Sequence, residues 1–204
     1  GLVHHIEAPD PLQKPAGQSE VEFLDACVAN LEAMIADVGA DKCAVFVAEP
    51  ILASGGVIVP PEGYHQRCLE LCRRHDMLYL SDEVVTAFGR LGHCFASEDV
   101  FGIVPDIITT AKGLTSGYVP MGAFLVSDRL IQEVKERGGD SAVFSNGFTY
   151  SGHPVSAAAG IKNLEIMKRE KLFEQARDTG PYMQQKLQEL RDIPIVTDVR
   201  GRGL

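Results

Sequence analysis

The chain has 204 residues, 45% of them apolar, enough to build a real core, so a disordered or fibrous protein is excluded. Nineteen Lys and Arg against 28 Asp and Glu give a net charge of −9, a field that repels phosphate backbones and anionic lipid surfaces. Nucleic acid and membrane are therefore not expected partners, and the longest apolar runs, such as Ala44 to Ala48, fall far short of the roughly 20 residues a membrane helix needs.

The first five residues, Gly-Leu-Val-His-His, lack the basic and apolar regions of a secretory signal, and there is no initiator Met. With the end at Arg200-Gly-Arg-Gly-Leu204, this leads us to expect a piece of a longer protein. The five cysteines, at 27, 43, 68, 72 and 94, are odd in number and lie mostly in apolar periodic segments, as reduced thiols of a cytoplasmic protein would.

Pro9, Pro11 and Pro15 make residues 1–18 an irregular, extended lead-in. Ser19 and Glu22 form a capping-box pattern, followed by Val21, Leu24, Cys27, Val28, Leu31, Met34, Ile35 and Val38 at helical spacing, and Gly39 ends the helix. Cys43 to Ala48 reads as a buried parallel strand. Pro61 opens a second helix ending near His75-Asp76, and Met77 to Leu80 is the next buried strand. Strands are expected at 106–110 and 121–126, with a helix from Ser127 to about Arg137. Helices at 154–168 and 171–191 follow, Gly180-Pro181 being the place where the second would break, and then a short strand near Ile195-Val196. The alternation predicts an α/β fold with a mainly parallel sheet covered by helices on both faces.

Ligands of such sheets sit beyond the carboxyl ends of the strands. There the sequence places Glu49-Pro50, Ser81-Asp82-Glu83 and Ala111-Lys112-Gly113, so acidic groups and one lysine meet at one sheet edge. A buried lysine beside carboxylates is suited to covalent chemistry. A strand ending in Asp-Glu also suits the metal-holding strand of a nucleotide hydrolase, or plain helix capping. The hydrolase needs a phosphate loop ending in Gly-Lys-[Ser/Thr], which this chain lacks. His65, Cys68, Cys72 and His75 share a helix face, but one straight helix cannot surround a zinc ion, and core packing is the expected use. His153 is expected to serve the turn before Pro154, and Gly55-Gly56 a tight turn.

Tyr79-Leu-Ser-Asp-Glu-Val-Val-Thr-Ala-Phe-Gly-Arg90 and Pro105-Asp-Ile-Ile-Thr-Thr-Ala-Lys-Gly-Leu-Thr-Ser-Gly117, with Lys112 30 positions after Asp82, resemble the signature of class III pyridoxal-phosphate (PLP) aminotransferases. Ala48-Glu-Pro-Ile51, Gly55 to Pro61, Gly147 to Pro154 and Asp198-Val-Arg-Gly201 extend the likeness through nearly the whole chain, closest to the omega-amino acid and amine:pyruvate branch. Two positions depart from the pattern. Ala87 replaces a usual Gly, and Leu52 replaces a Gln that many members carry beside the cofactor, which bears on substrate choice.

The resemblance implies a fold-type I PLP-dependent transferase: residues 1–158 the second half of the large cofactor domain, and 159–204 connecting helices and the start of the small C-terminal domain. It implies that Lys112 carries PLP as a Schiff base and shuttles a proton, that Asp82 pairs with the pyridine nitrogen, and that Val84 packs on the ring. Glu49 would lie near the cofactor's phenolic side and the substrate pocket. Phe148 and Thr149 would reach the neighbouring subunit's site, the threonine binding the cofactor phosphate, so that a homodimer shares its active sites. The implied reaction moves an amino group from a primary amine or omega-amino acid to a keto acid such as pyruvate. The alternatives are an aminomutase, a diamine or biosynthetic aminotransferase, an NTP-hydrolysing α/β domain, or an interaction module without activity.

Overall fold

In a computed structural model, residues 2–141, 143 and 146–204 are described, residue 140 by its backbone alone. Four strands among them form one sheet in the order β1 (Val45–Ala48), β2 (Leu78–Asp82), β3 (Ile107–Thr110), β4 (Ala123–Val126). β1, β2 and β3 run parallel, with Ala48 opposite Ser81 and Asp82 opposite Thr109, while β4 returns antiparallel with Ala123 opposite Thr110. The helices are α1 (Glu20–Val38), α2 (Tyr64–Arg74), α3 (Ala96–Asp99), α4 (Asp128–Gly138), α5 (Pro154–Arg169) and α6 (Leu172–Gln188).

α1 starts as its sequence dictates. Ser19 Oγ accepts from the Glu22 N–H and the Glu22 carboxylate accepts from the Ser19 N–H at 2.8 Å, satisfying two otherwise unpaired helix-end donors. Its buried face consists of Phe23, Cys27, Val28, Leu31 and Ile35, so the stripe includes Phe23 and excludes the expected Val21, which is exposed. α2 begins at Tyr64 rather than Pro61. Pro61 instead closes a turn by accepting from the Tyr64 N–H, and Gly63, at φ +86°, takes a left-handed conformation that a helix interior cannot hold.

α1 and α2 pack together over one face of the sheet, burying Cys68, Leu71, Cys72 and Tyr79 completely, with Phe46 packed against them. On the other face, β1 is not the buried strand expected, because Val45 and Val47 are 40% and 55% exposed. Asp106, just before β3, fastens the sheet. Its Oδ2 accepts from the Tyr79 N–H at 2.8 Å and from Arg73 at 2.6 Å, and its Oδ1 from Arg129 at 2.6 Å. Burial pushes this carboxyl up, but the bonds from Arg73, Tyr79 and Arg129 together outweigh it and hold it below the usual carboxylate range.

α6 runs on through Gly180-Pro181 without a break. The strand expected near Ile195-Val196 is not formed. Pro194 fixes the second corner of a turn that closes with the Val196 N–H on the Ile193 carbonyl at 2.9 Å, and Ile195 points to solvent. The chain end folds back on the loop after β2, where Leu204 N–H donates to the Arg90 carbonyl and Arg90 donates to the Leu204 carbonyl, each at 3.1 Å. No helix among the described residues is long and apolar enough to cross a membrane.

Candidate active site

The parallel register brings the three sequence-predicted segments to the carboxyl ends of neighbouring strands. Glu49 follows Ala48, the partner of Ser81, and so lies beside Asp82, the last residue of β2. Lys112 comes three residues after Thr109, the partner of Asp82. Asp82 caps no helix, because the chain turns after it. Its Oδ1 accepts from the Val84 N–H at 3.0 Å in a local turn, and among the described residues its Oδ2 makes no hydrogen bond or ion pair. Val84, half-buried, follows in that turn.

Lys112 is exposed rather than buried as expected: the neighbouring segments pack on Gly113 and Leu114 and leave the lysine side chain uncovered. Its backbone is unusual. φ is +35°, a region costly for a residue with a Cβ, and it opens a single 3-10 turn, Lys112–Leu114, directly after β3. The neighbouring Gly113 is sterically required, because a Cβ there would stand 2.9 Å from Phe88 Cβ. The loop after Asp82 thus touches the turn that carries Lys112.

Glu83 beside Asp82 is a different kind of carboxylate. It is completely buried, and its oxygens accept from the N–H groups of Ala96 and Ser97 at 2.7 and 2.8 Å, from Ser97 Oγ at 2.6 Å and from Thr86 Oγ1 at 3.1 Å. It anchors the loop 84–97 and is not available to a ligand. Glu49 Oε2 accepts from the Ala53 N–H at 3.0 Å, so this residue does cap its own loop, with Oε1 making no bond among the described residues. Glu49, Leu52 and Asp82 line a groove of about 1140 Å³ that extends beneath residues 2–9 along β1, and Lys112 is not part of its lining.

Two contributors escaped the sequence reading. His65 is a core residue, as expected, but its imidazole joins three segments: Nδ1 lies 2.8 Å from Tyr79 Oη and Nε2 2.9 Å from the Pro50 carbonyl. The carbonyl requires a donor, so Nε2 carries the proton and Tyr79 donates to Nδ1. With both ring nitrogens engaged, His65 has no lone pair for a metal. Burial pushes its pKa down to about 4, against the opposing pull of the Pro50 carbonyl. The second contributor is Asn163 of α5, whose amide reaches the Lys112 turn. Neither has a signal in the sequence, since each partnership spans 14 residues or more.

Phe148 and Thr149 stand apart from these groups. They lie in a turn closed by the Ser151 N–H on the Phe148 carbonyl at 2.9 Å, with Phe148 89% exposed, and among the described residues neither side chain bonds to Glu49, Asp82 or Lys112. The turn leads into α5, where His153 Nδ1 accepts from the Val155 N–H at 3.3 Å, the service expected of it.

The sequence profile of the family Aminotransferase class-III matches residues 1–204, and the chain belongs to that family. It is 43% identical over 205 residues to the putrescine–pyruvate aminotransferase of Pseudomonas aeruginosa, covering all of this chain and 44% of that protein. It is 42% identical to the diaminobutyrate–2-oxoglutarate transaminase of Halomonas elongata, covering 99% of this chain and 44% of that protein. Among solved structures, an (S)-enantioselective omega-transaminase from Thermomicrobium roseum superposes with a TM-score of 0.91 at 42% identity, over 98% of this chain and 44% of that one. The omega transaminase from Pseudomonas jessenii in complex with PMP gives 0.91 at 37% identity, over the same shares. The chain spans less than half the length of these relatives. Class III aminotransferases are PLP-dependent, and the fold is that of fold-type I transaminases. The residues present fit PLP: an amine with no ion-pair partner among the described residues stands beyond one strand end, and a carboxylate with one uncommitted oxygen closes the adjacent strand.

Proposed function

We propose that the protein is an aminotransferase that moves an amino group from a primary amine or omega-amino acid to a keto acid such as pyruvate, with PLP held by Lys112 and Asp82. The observation that carries this reading is the placement of Asp82 and Lys112 at the carboxyl ends of the paired parallel strands β2 and β3. PLP supplies an electron sink for the carbanion formed when the substrate carbon loses its proton. Lys112 would hold the cofactor through its Nζ and, when displaced, move the proton at the substrate carbon. Asp82, already oriented through Oδ1 by the Val84 N–H, would present Oδ2 to the ring nitrogen and keep it protonated. Val84 would pack on the ring, and Glu49 would face the substrate side through Oε1.

On this reading residues 1–158 are the second half of the cofactor domain, and 159–204 the connecting helices and the start of the small domain. The working form is a cytoplasmic homodimer, in which Phe148 and Thr149 serve the neighbouring subunit's site, consistent with their exposure in a projecting turn. The donors named for two relatives, putrescine and diaminobutyrate, favour a diamine as one amino donor.

The test is chemical. The holoenzyme should absorb visible light, and borohydride should fix the pyridoxyl group on the peptide containing Lys112. Its appearance on another lysine, or a colourless protein after PLP loading, overturns the reading.

A further inference from the structure

The Lys112 turn is held from outside the sheet by one side chain. Asn163 Nδ2 lies 2.9 Å from the Gly113 carbonyl and 3.0 Å from the Leu114 carbonyl, and Ser116 Oγ lies 2.8 Å from Asn163 Oδ1. Two carbonyls can be satisfied only by a donor, so the amide orientation is fixed: Nδ2 donates to both, and Ser116 donates to Oδ1. The three residues that Asn163 grips, Gly113, Leu114 and Ser116, follow Lys112 at once, and Lys112 and Ser116 both have positive φ, +35° and +51°. Such backbone reverts to cheaper conformations unless its surroundings hold it.

α5 lies close against the turn along this face. Gly160, one helical turn before Asn163, faces the turn: a Cβ there would stand in ordinary contact with the Leu114 carbonyl at 3.8 Å and would crowd Met121 Sδ at 3.2 Å. From the opposite side, Phe88 presses on Gly113. The turn is thus gripped between the loop that follows Asp82 and a helix 50 residues further along the chain.

We infer that Asn163 is a positioning residue for Lys112: by donating to the Gly113 and Leu114 carbonyls it holds the strained turn in the conformation that presents the lysine amine to the cofactor. The inference rests on Lys112 being the PLP-bearing residue. It concerns how readily the amine is presented, apart from later steps of turnover.

The test strips the intact protein of cofactor, adds PLP, quenches samples with borohydride at intervals and follows the labelled Lys112 peptide by mass spectrometry. Asn163→Asp keeps the shape and the acceptor for Ser116 but sets an anionic oxygen against two carbonyls. At mildly alkaline pH its labelling should be slower than wild type by about tenfold, the worth of one or two lost hydrogen bonds. As the pH falls and the new carboxyl is protonated, it donates again, and the ratio to wild type should climb toward one. A residue that only packs would show no such pH-dependent ratio.

Ser116→Ala, which removes the bond that orients the amide while leaving the donor in place, should slow labelling by a smaller factor, and it decides the matter if Asn163→Asp does not fold. Wild-type labelling rates in both variants, or in Ser116→Ala alone when the other is lost, overturn the positioning role. Wild-type protein labelled at a different lysine overturns instead the assignment of Lys112, a separate and recognisable result.

Discussion

Glu83 and Ser97 meet twice in the core: the Ser97 N–H and Oγ both donate to Glu83 Oε1, at 2.8 and 2.6 Å. Together with the Ala96 N–H on Oε2, this ties the start of α3 to the end of β2 and closes the loop that carries Val84 and Phe88. Glu83→Ala leaves two buried backbone donors without an acceptor and should lower unfolding stability by about 3–5 kcal/mol. Glu83→Gln turns one donor toward another and should cost less. Urea unfolding of both variants measures this, and an unchanged midpoint would show that the loop is held by other contacts.

His65 predicts a pH dependence of stability. Its folded pKa of about 4 lies below the ordinary histidine value of 6.5, so between these pH values the unfolded chain binds more protons and stability rises with pH. The contribution, roughly 3 kcal/mol, is fully present above 6.5 and is lost progressively as the pH falls toward 4. His65→Gln should flatten the stability profile over that window relative to wild type, as read by thermal unfolding at stepped pH. Parallel profiles would mean that other groups dominate.

Asp82→Asn retains the local bond to the Val84 N–H but removes the charge that the proposed function sets against the ring nitrogen. Turnover should fall by about two to four orders of magnitude with the fold intact. Steady-state kinetics beside circular dichroism separates the two effects. Near-normal turnover would leave Asp82 a residue of its turn alone.

If Thr149 binds phosphate across an interface, mixing inactive Lys112→Ala with Thr149→Ala should restore part of the activity, because one site of each mixed dimer carries neither change. Absence of recovery in demonstrated heterodimers would place the threonine's role within its own chain.

Much of this arrangement was legible from local chemistry. The Ser19-Glu22 box, the apolar runs before Asp82 and Lys112, and their 30-residue spacing depend on neighbours in sequence, and each appears where expected. The rest depends on the assembled fold. Gly63 moved the start of α2 because a single φ outweighed the helix-initiating proline, and Pro194 made a turn of residues whose composition suits a strand. Which of two adjacent acids is spent inside the protein is decided by the return of residues 96 and 97, which nothing in Asp82-Glu83 reveals.

The outer edge of β1 carries a last consequence. Among the described residues β1 pairs with β2 alone, so its other side presents unpaired backbone groups, and Val45 and Val47 add an apolar surface beside them. Such an edge is a template for any extended strand. Produced as these 204 residues alone, the polypeptide should self-associate through β1. A charged residue at Val47 should keep it dispersed, which light scattering can follow.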